Sequence, residues 1–111
     1  MRPTDGDALN NHGFCLLPTA PHEALHLLQR ASLYPLKQKT INAANRSLAL
    51  YLVGRREDAV TLAKESLALP PPHHPEPCYA WKQDLETGAL HLENVQSARV
   101  HLEQLLKFLD A

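Results

Sequence analysis

His22-Glu23-Ala24-Leu25-His26 sets two imidazoles one helical turn apart with a carboxylate beside the first. On a helix, that spacing can hold zinc through both histidines while the glutamate acts as general base toward a metal-bound water. A minimal zinc hydrolase using His22, Glu23 and His26 is therefore one reading of the chain, with Glu57 or Asp58 as third ligand if the fold brings it near. Three features oppose that reading. Pro21 puts the pair in the first turn of its helix, where a residue without an N–H is best tolerated. The longer form of the motif needs glycine where Gln29 stands. Glu23-Ala24 also recurs as Asp58-Ala59, 35 residues on, so a repeat already accounts for those two positions. His73, His74, Glu76 and Cys78 form a second group of donors, but in a proline-stiffened linker where solvated side chains are expected. Neither group supports a metal or cofactor, and the sequence has no glycine-rich phosphate loop and no nucleophile elbow. His12, His91 and His101 have no evident partner and read as surface or groove residues.

The elements that position these residues come from the repeat. Asn11, Gly13 and Leu16 recur 34 residues later as Asn45, Ser47 and Leu50. After a one-residue slip, Glu23-Ala24-Leu25, Ala31 and Pro35 recur 35 residues later as Asp58-Ala59-Val60, Ser66 and Pro70. Periods of this length mark stacked helical hairpins. A first helix is expected over 7–17, capped by Asp5 or Asp7 and stopped by Pro18-Thr19-Ala20-Pro21. A second follows over 21–34, with Thr19 or Ala20 near its cap and an apolar face of Ala24, Leu25, Leu27, Leu28, Ala31 and Leu33. Thr40 or Asn42 is expected to cap a third helix that runs to Val53 and ends at Gly54, which suits a left-handed turn. A fourth spans 57–69, with Glu57 and Asp58 favouring the positive end of its dipole.

The stretch 70–77 holds five prolines in eight residues and reads as an extended connector. Beyond it, Cys78 opens an expected short helix over 78–85 that carries Trp81. Residues 84–92, with Thr87-Gly88, suggest a turn or a small hairpin. Asn94 is expected to cap a last helix reaching Leu109, with an apolar stripe of Val95, Ala98, Leu102, Leu105 and Leu109.

The totals bound the function. A chain of 111 residues makes one modest core. With 44% apolar and only 5% aromatic residues, that core must be built from Leu and Ala. A net charge of −1 argues against a nucleic-acid binder that relies on phosphate attraction. Charge is unevenly spread: residues 1–56 carry seven Lys/Arg against three Asp/Glu, and residues 57–111 carry four against nine. Either neighbouring helices neutralise one another, or a basic face receives an acidic segment, including one from a second copy in a homodimer. The two cysteines are not paired in spacing, and Cys15 lies in an apolar run and reads as buried, so a reducing cytoplasm is expected. Residues 1–7 do not resemble a signal peptide, and no run is long enough to span a membrane.

Leu9, His12, Gly13, Leu16, Ala24, Leu28 and Pro35 in the first copy, and Ala43, Arg46, Ser47, Leu50, Ala59, Ala63 and Pro70-Pro71 in the second, resemble the tetratricopeptide repeat. That family's pattern is Trp-x2-Leu-Gly-x2-Tyr, then Ala-x3-Phe, then Pro. His12 and Arg46 stand in place of the leucine, the large aromatics are missing, and residues 78–111 do not keep the register. The resemblance implies an all-α fold: hairpins over 8–35 and 41–71 stacked as a short right-handed solenoid, a Pro-rich connector, and a C-terminal capping helix. It implies a groove lined by the first helix of each hairpin and holding a peptide, with Asn11, Phe14, Asn45, Leu48, Tyr51 and Lys39 as its residues. A non-catalytic adaptor for a protein or peptide segment is the function expected, with the zinc hydrolase and a self-associating structural subunit as alternatives.

Overall fold

The computed structural model describes residues 5–37, 39–71, 73, 75–84 and 86–110. Among these, the chain forms helices α1 (Gly6–Leu16), α2 (Pro21–Ala31), α3 (Lys39–Leu52) and α4 (Arg56–Leu67), then strands β1 (Cys78–Gln83) and β2 (Leu90–Val95), and finally helix α5 (Ala98–Leu109). The helices pair as two successive hairpins, α1 with α2 and α3 with α4. α2 packs on α3, and α5 lies against both α3 and α4.

The expected all-α class is overturned by the β1–β2 hairpin. Residues 78–83 form a strand and not the expected helix, since a turn built on Asp84 folds them back to pair with 90–95. Cys78, Ala80 and Lys82 fall on one face, and Tyr79, Trp81 and Gln83 on the other. The pairing is antiparallel, from Cys78 opposite Val95 to Gln83 opposite Leu90. The turn is built on Asp84, whose Oδ1 accepts from the backbone N–H groups of Glu86 and Thr87 at 2.8 and 3.0 Å. Gly88 sits at φ +76°, where side chains are rarely accommodated. Asn94 is consequently a strand residue, and the N-cap of α5 is Ser97, whose side chain accepts from Val100 N–H.

Several helix boundaries also move. Asp5 does cap α1, accepting from Ala8 N–H at 3.1 Å. Thr40 and Asn42 lie inside α3 and do not cap it. α2 stops at Ala31, since Ser32 bonds back to Gln29 and the next residues turn toward Pro35. Leu33, expected on the apolar face, is therefore beyond the helix and 78% exposed. Gly54 takes φ +88° and ends the α3 turn as expected.

The core is built from leucine and alanine. Leu17, Leu25, Leu28, Leu48, Ala59 and Leu109 meet in one cluster that joins both hairpins to the end of α5. Ile41, Ala44, Ala63, Ala98 and Leu102 meet in a second, between α3, α4 and α5. Small residues set how closely the helices approach. A Cβ on Gly13 would lie 2.7 Å from Leu28 Cγ and 3.1 Å from the Ala24 carbonyl oxygen, so α1 and α2 touch through that bare Cα.

One polar tie runs through this packing. The Asn42 Nδ2 donates to Asn10 Oδ1 at 3.0 Å and to the Leu28 carbonyl at 3.2 Å. Asn10 and Asn42 are each only 2% exposed. A backbone carbonyl can only accept, so the Asn42 amide nitrogen must face Leu28, and Asn10 must present its oxygen.

Three substitutions test these contacts. Alanine usually gains about 1 kcal/mol over glycine inside a helix. At Gly13 the clash reverses that sign, and Gly13→Ala is expected to cost about 1–3 kcal/mol in urea unfolding. At the equivalent position in the second hairpin, Ser47 is fully buried with no partner for Oγ, so Ser47→Ala is expected to be neutral or stabilising. Matching signs at the two sites would refute the close-approach argument. Asn42→Asp keeps the shape but turns a donor into a carboxylate facing two acceptors, and is expected to cost about 3 kcal/mol or more at neutral pH. A loss under about 1 kcal/mol would mean the tie does not hold the helices.

Candidate functional site

β1 crosses the side of the molecule on which α1 and α3 stand together. Trp81 anchors it there: its Nε1–H donates to the Phe14 carbonyl at 2.9 Å, and the two rings pack with centroids 5.5 Å apart. Beside this anchor lies a pocket of about 230 Å³ lined by Asn10, Asn11, Phe14, Asn45, Cys78 and Tyr79, among others. Its polar groups are amides. Asn11 is exposed, whereas Asn45 is only 3% exposed and its Nδ2 has no hydrogen-bond partner among the described residues. A buried N–H without an acceptor costs about 1–3 kcal/mol, so turning the Asn45 amide into the pocket to meet an incoming carbonyl would relieve that cost. Tyr79, 60% exposed, and Phe14 supply flat apolar surface around it. The arrangement suits an extended backbone segment, which offers a carbonyl and an N–H at each residue.

The six expected groove residues are only partly brought together. Asn11, Phe14 and Asn45 share this pocket. Leu48 is 3% exposed and lines a different cavity, next to Trp81 and α5. Tyr51 packs edge-on against Phe108 of α5, with ring centroids 5.4 Å apart. Lys39 borders a third cavity together with Lys37, Ser66 and Arg99. The continuous groove expected along α1 and α3 is thus interrupted by the chain's own strand.

His22, Glu23 and His26 are exposed at the start of α2. Among the described residues no three His, Cys, Asp or Glu side chains stand close enough to hold a metal ion, so neither Glu57 nor Asp58 approaches that pair. Of the second donor group, His73 is exposed, and His74 lies outside the described residues. Cys78 is half-buried beside Ile41 and Ala98, and burial, then the neighbouring Glu76 carboxylate, push its thiol up and away from the reactive thiolate. Cys15 is exposed, contrary to its apolar surroundings in sequence, because it lies on the outer face of α1.

Among the described residues, charge contacts between α4 and α5 fall mostly within the acidic half, with Arg56 as the single contribution from the basic one. The Arg56 Nε donates to the Leu109 carbonyl at 2.7 Å, and Lys64 lies 3.6 Å from Asp110. Arg46 is half-buried, and burial lowers its pKa, opposed by Glu65.

His101 had no signal beyond its flanking place on the α5 stripe, one residue before Leu102. It is 6% exposed, with Nδ1 unpartnered. Burial, then the Lys82 ammonium, push its pKa down to about 4, against the pull of Glu93. The imidazole is neutral at physiological pH. His91, also without a sequence partner, lies 2.6 Å from Glu93. No protein family, curated protein or solved structure matches the chain.

His101 should leave a mark on the pH dependence of stability. Its ordinary pKa is about 6.5 in an unfolded chain, so between there and 4 the unfolded state binds more protons. The stability is full above about pH 6.5, falls as the pH drops toward 4, and levels off below. The loss attributable to this group is about 3 kcal/mol. His101→Leu should shed that share of the loss in urea unfolding at pH 7.5 and 4. Parallel profiles for variant and wild type would count against a neutral buried imidazole.

Proposed function

We propose that the chain is a non-catalytic binding module that takes a peptide or protein segment in the pocket between α1, α3 and β1. The observation that carries this reading is the buried, unpartnered Asn45 Nδ2, with the exposed Asn11 amide and the Phe14 and Tyr79 rings around it. The resemblance of both hairpins to the tetratricopeptide repeat supports it, since that family presents asparagines from the first helix of each hairpin to a bound backbone. The two free cysteines fit a reducing cytoplasm. Among the described residues no helix is long and apolar enough to cross a membrane.

The rigid helical frame and the amide pair set the expected strength. Each hydrogen bond to a buried group that would otherwise stay unpaired contributes on the order of 1–3 kcal/mol. Selection of random displayed peptides on the immobilised protein should yield binders. Their synthetic forms should bind the Asn11→Ala/Asn45→Leu variant at least about tenfold more weakly. Peptides that bind both proteins equally would remove this pocket from consideration.

A further inference from the structure

A second cavity, of about 550 Å³, lies between β1, α3 and α5 and shares no lining residue with the first. Its apolar walls are Leu48, Trp81, Leu105 and Phe108. Lys82, Gln83, His101, Gln104 and Lys107 supply the polar groups, and among the described residues no carboxylate side chain lines it. We propose that this cavity binds a small amphipathic carboxylate, its apolar body against Leu48, Trp81 and Phe108 and its carboxylate among Lys82, Lys107 and His101.

Size, charge and an unmet hydrogen bond all support this assignment. The volume falls within the ~300–1,000 Å³ of small-molecule sites, which are mostly apolar with a few fixed polar groups. Two ammonium groups border it. Lys107 makes no ion pair among the described residues, while Lys82 donates to Gln104 Oε1 at 3.3 Å and stands 3.8 Å from Glu93, which does not line the cavity. Among the described residues His101 Nδ1 is buried there without a partner, whereas the unpartnered Gln83 Oε1 is an acceptor and has nothing to offer a carboxylate. A neutral imidazole can place its one N–H on either nitrogen, so Nδ1–H can donate to a carboxylate oxygen. An anion beside it also stabilises the charged ring, so binding draws its titration upward. A peptide fits less well. The Trp81–Phe14 contact stands between the two cavities, since Phe14 lines one and Trp81 the other, and an extended chain has no passage along the face.

Trp81 is the sole tryptophan, so its emission reports this cavity directly. The probes are decanoate, decanol and decylammonium, which share a chain and differ in head charge, titrated by calorimetry and by Trp81 fluorescence below their micelle concentrations. Decanoate is expected to saturate both signals. Decanol should bind at least about tenfold more weakly, and decylammonium more weakly still, as expected for losing a charge-assisted hydrogen bond. The preference for decanoate should vanish in Lys82→Gln/Lys107→Gln. Lys107→Gln alone, at an exposed position, should reduce it without disturbing the fold. Equal affinity for decanoate and decanol overturns the assignment, and so does a preference that survives in the double variant. Heat without a change in Trp81 emission places binding elsewhere and overturns the site. Tighter binding of an acetylated tetrapeptide ending in a free leucine carboxylate overturns the small-ligand class. None of these results bears on Asn11 or Asn45, so the peptide pocket stands or falls separately.

Discussion

The molecule turns on a side-chain amide buried where three helices meet. Asn42 of α3 reaches Asn10 of α1 and the Leu28 carbonyl of α2, and so fixes the second hairpin against both arms of the first. Alanine and leucine surfaces slide readily over one another, because dispersion and burial favour many near-equivalent packings. A buried donor is less tolerant. Displaced by a few ångströms, it leaves polar groups unsatisfied at a cost that the apolar contacts around it cannot offset. The Leu and Ala contacts supply the drive to pack. The amide selects one arrangement, and both cavities depend on that selection because α3 forms a wall of each.

Close approach is the second condition. The missing side chain at Gly13 lets Leu28 lie against the α1 backbone, and Ala24, Ala59 and Ala63 are fully buried. Helices this near leave little room between hairpins, and the two candidate openings lie where a different element, the strand pair, meets them. The candidate sites therefore lie at junctions between helix and strand.

The four helices of the two hairpins were legible because a period of 34–35 residues, Asp5, Pro21 and Gly54 all point the same way. The last third was harder. Tyr79, Ala80 and Trp81 alternate correctly for a strand, but six residues are too few for period to decide, and Trp81 sits as well on a short helix. What settles the matter is Asp84, whose carboxylate holds two backbone N–H groups, and a turn made this way shows only as one Asp ahead of Thr87-Gly88. The site was half legible. Asn11 and Asn45 were found through the repeat. Asn10 and Asn42 were not, since neither echoes the other, and a buried asparagine between Ile41 and Ala43 looks like a cap in sequence. His101 was missed for a similar reason. Its depth comes from its place beside β1, which the sequence pattern does not reveal as a strand.

The strand pair begins and ends at one place. Ala98 N–H donates to the Glu76 carbonyl at 2.9 Å, so the chain returns to its point of departure before α5 starts. To the helical frame, residues 77–97 are an excursion whose two ends are already joined. Insertions at such points change length and sequence at little cost to the scaffold, because no helix has to move to admit them. Yet this excursion supplies Tyr79 to one cavity and Trp81, Lys82 and Gln83 to the other. The part of the chain that lines both cavities is thus the part whose replacement would disturb the helical frame least.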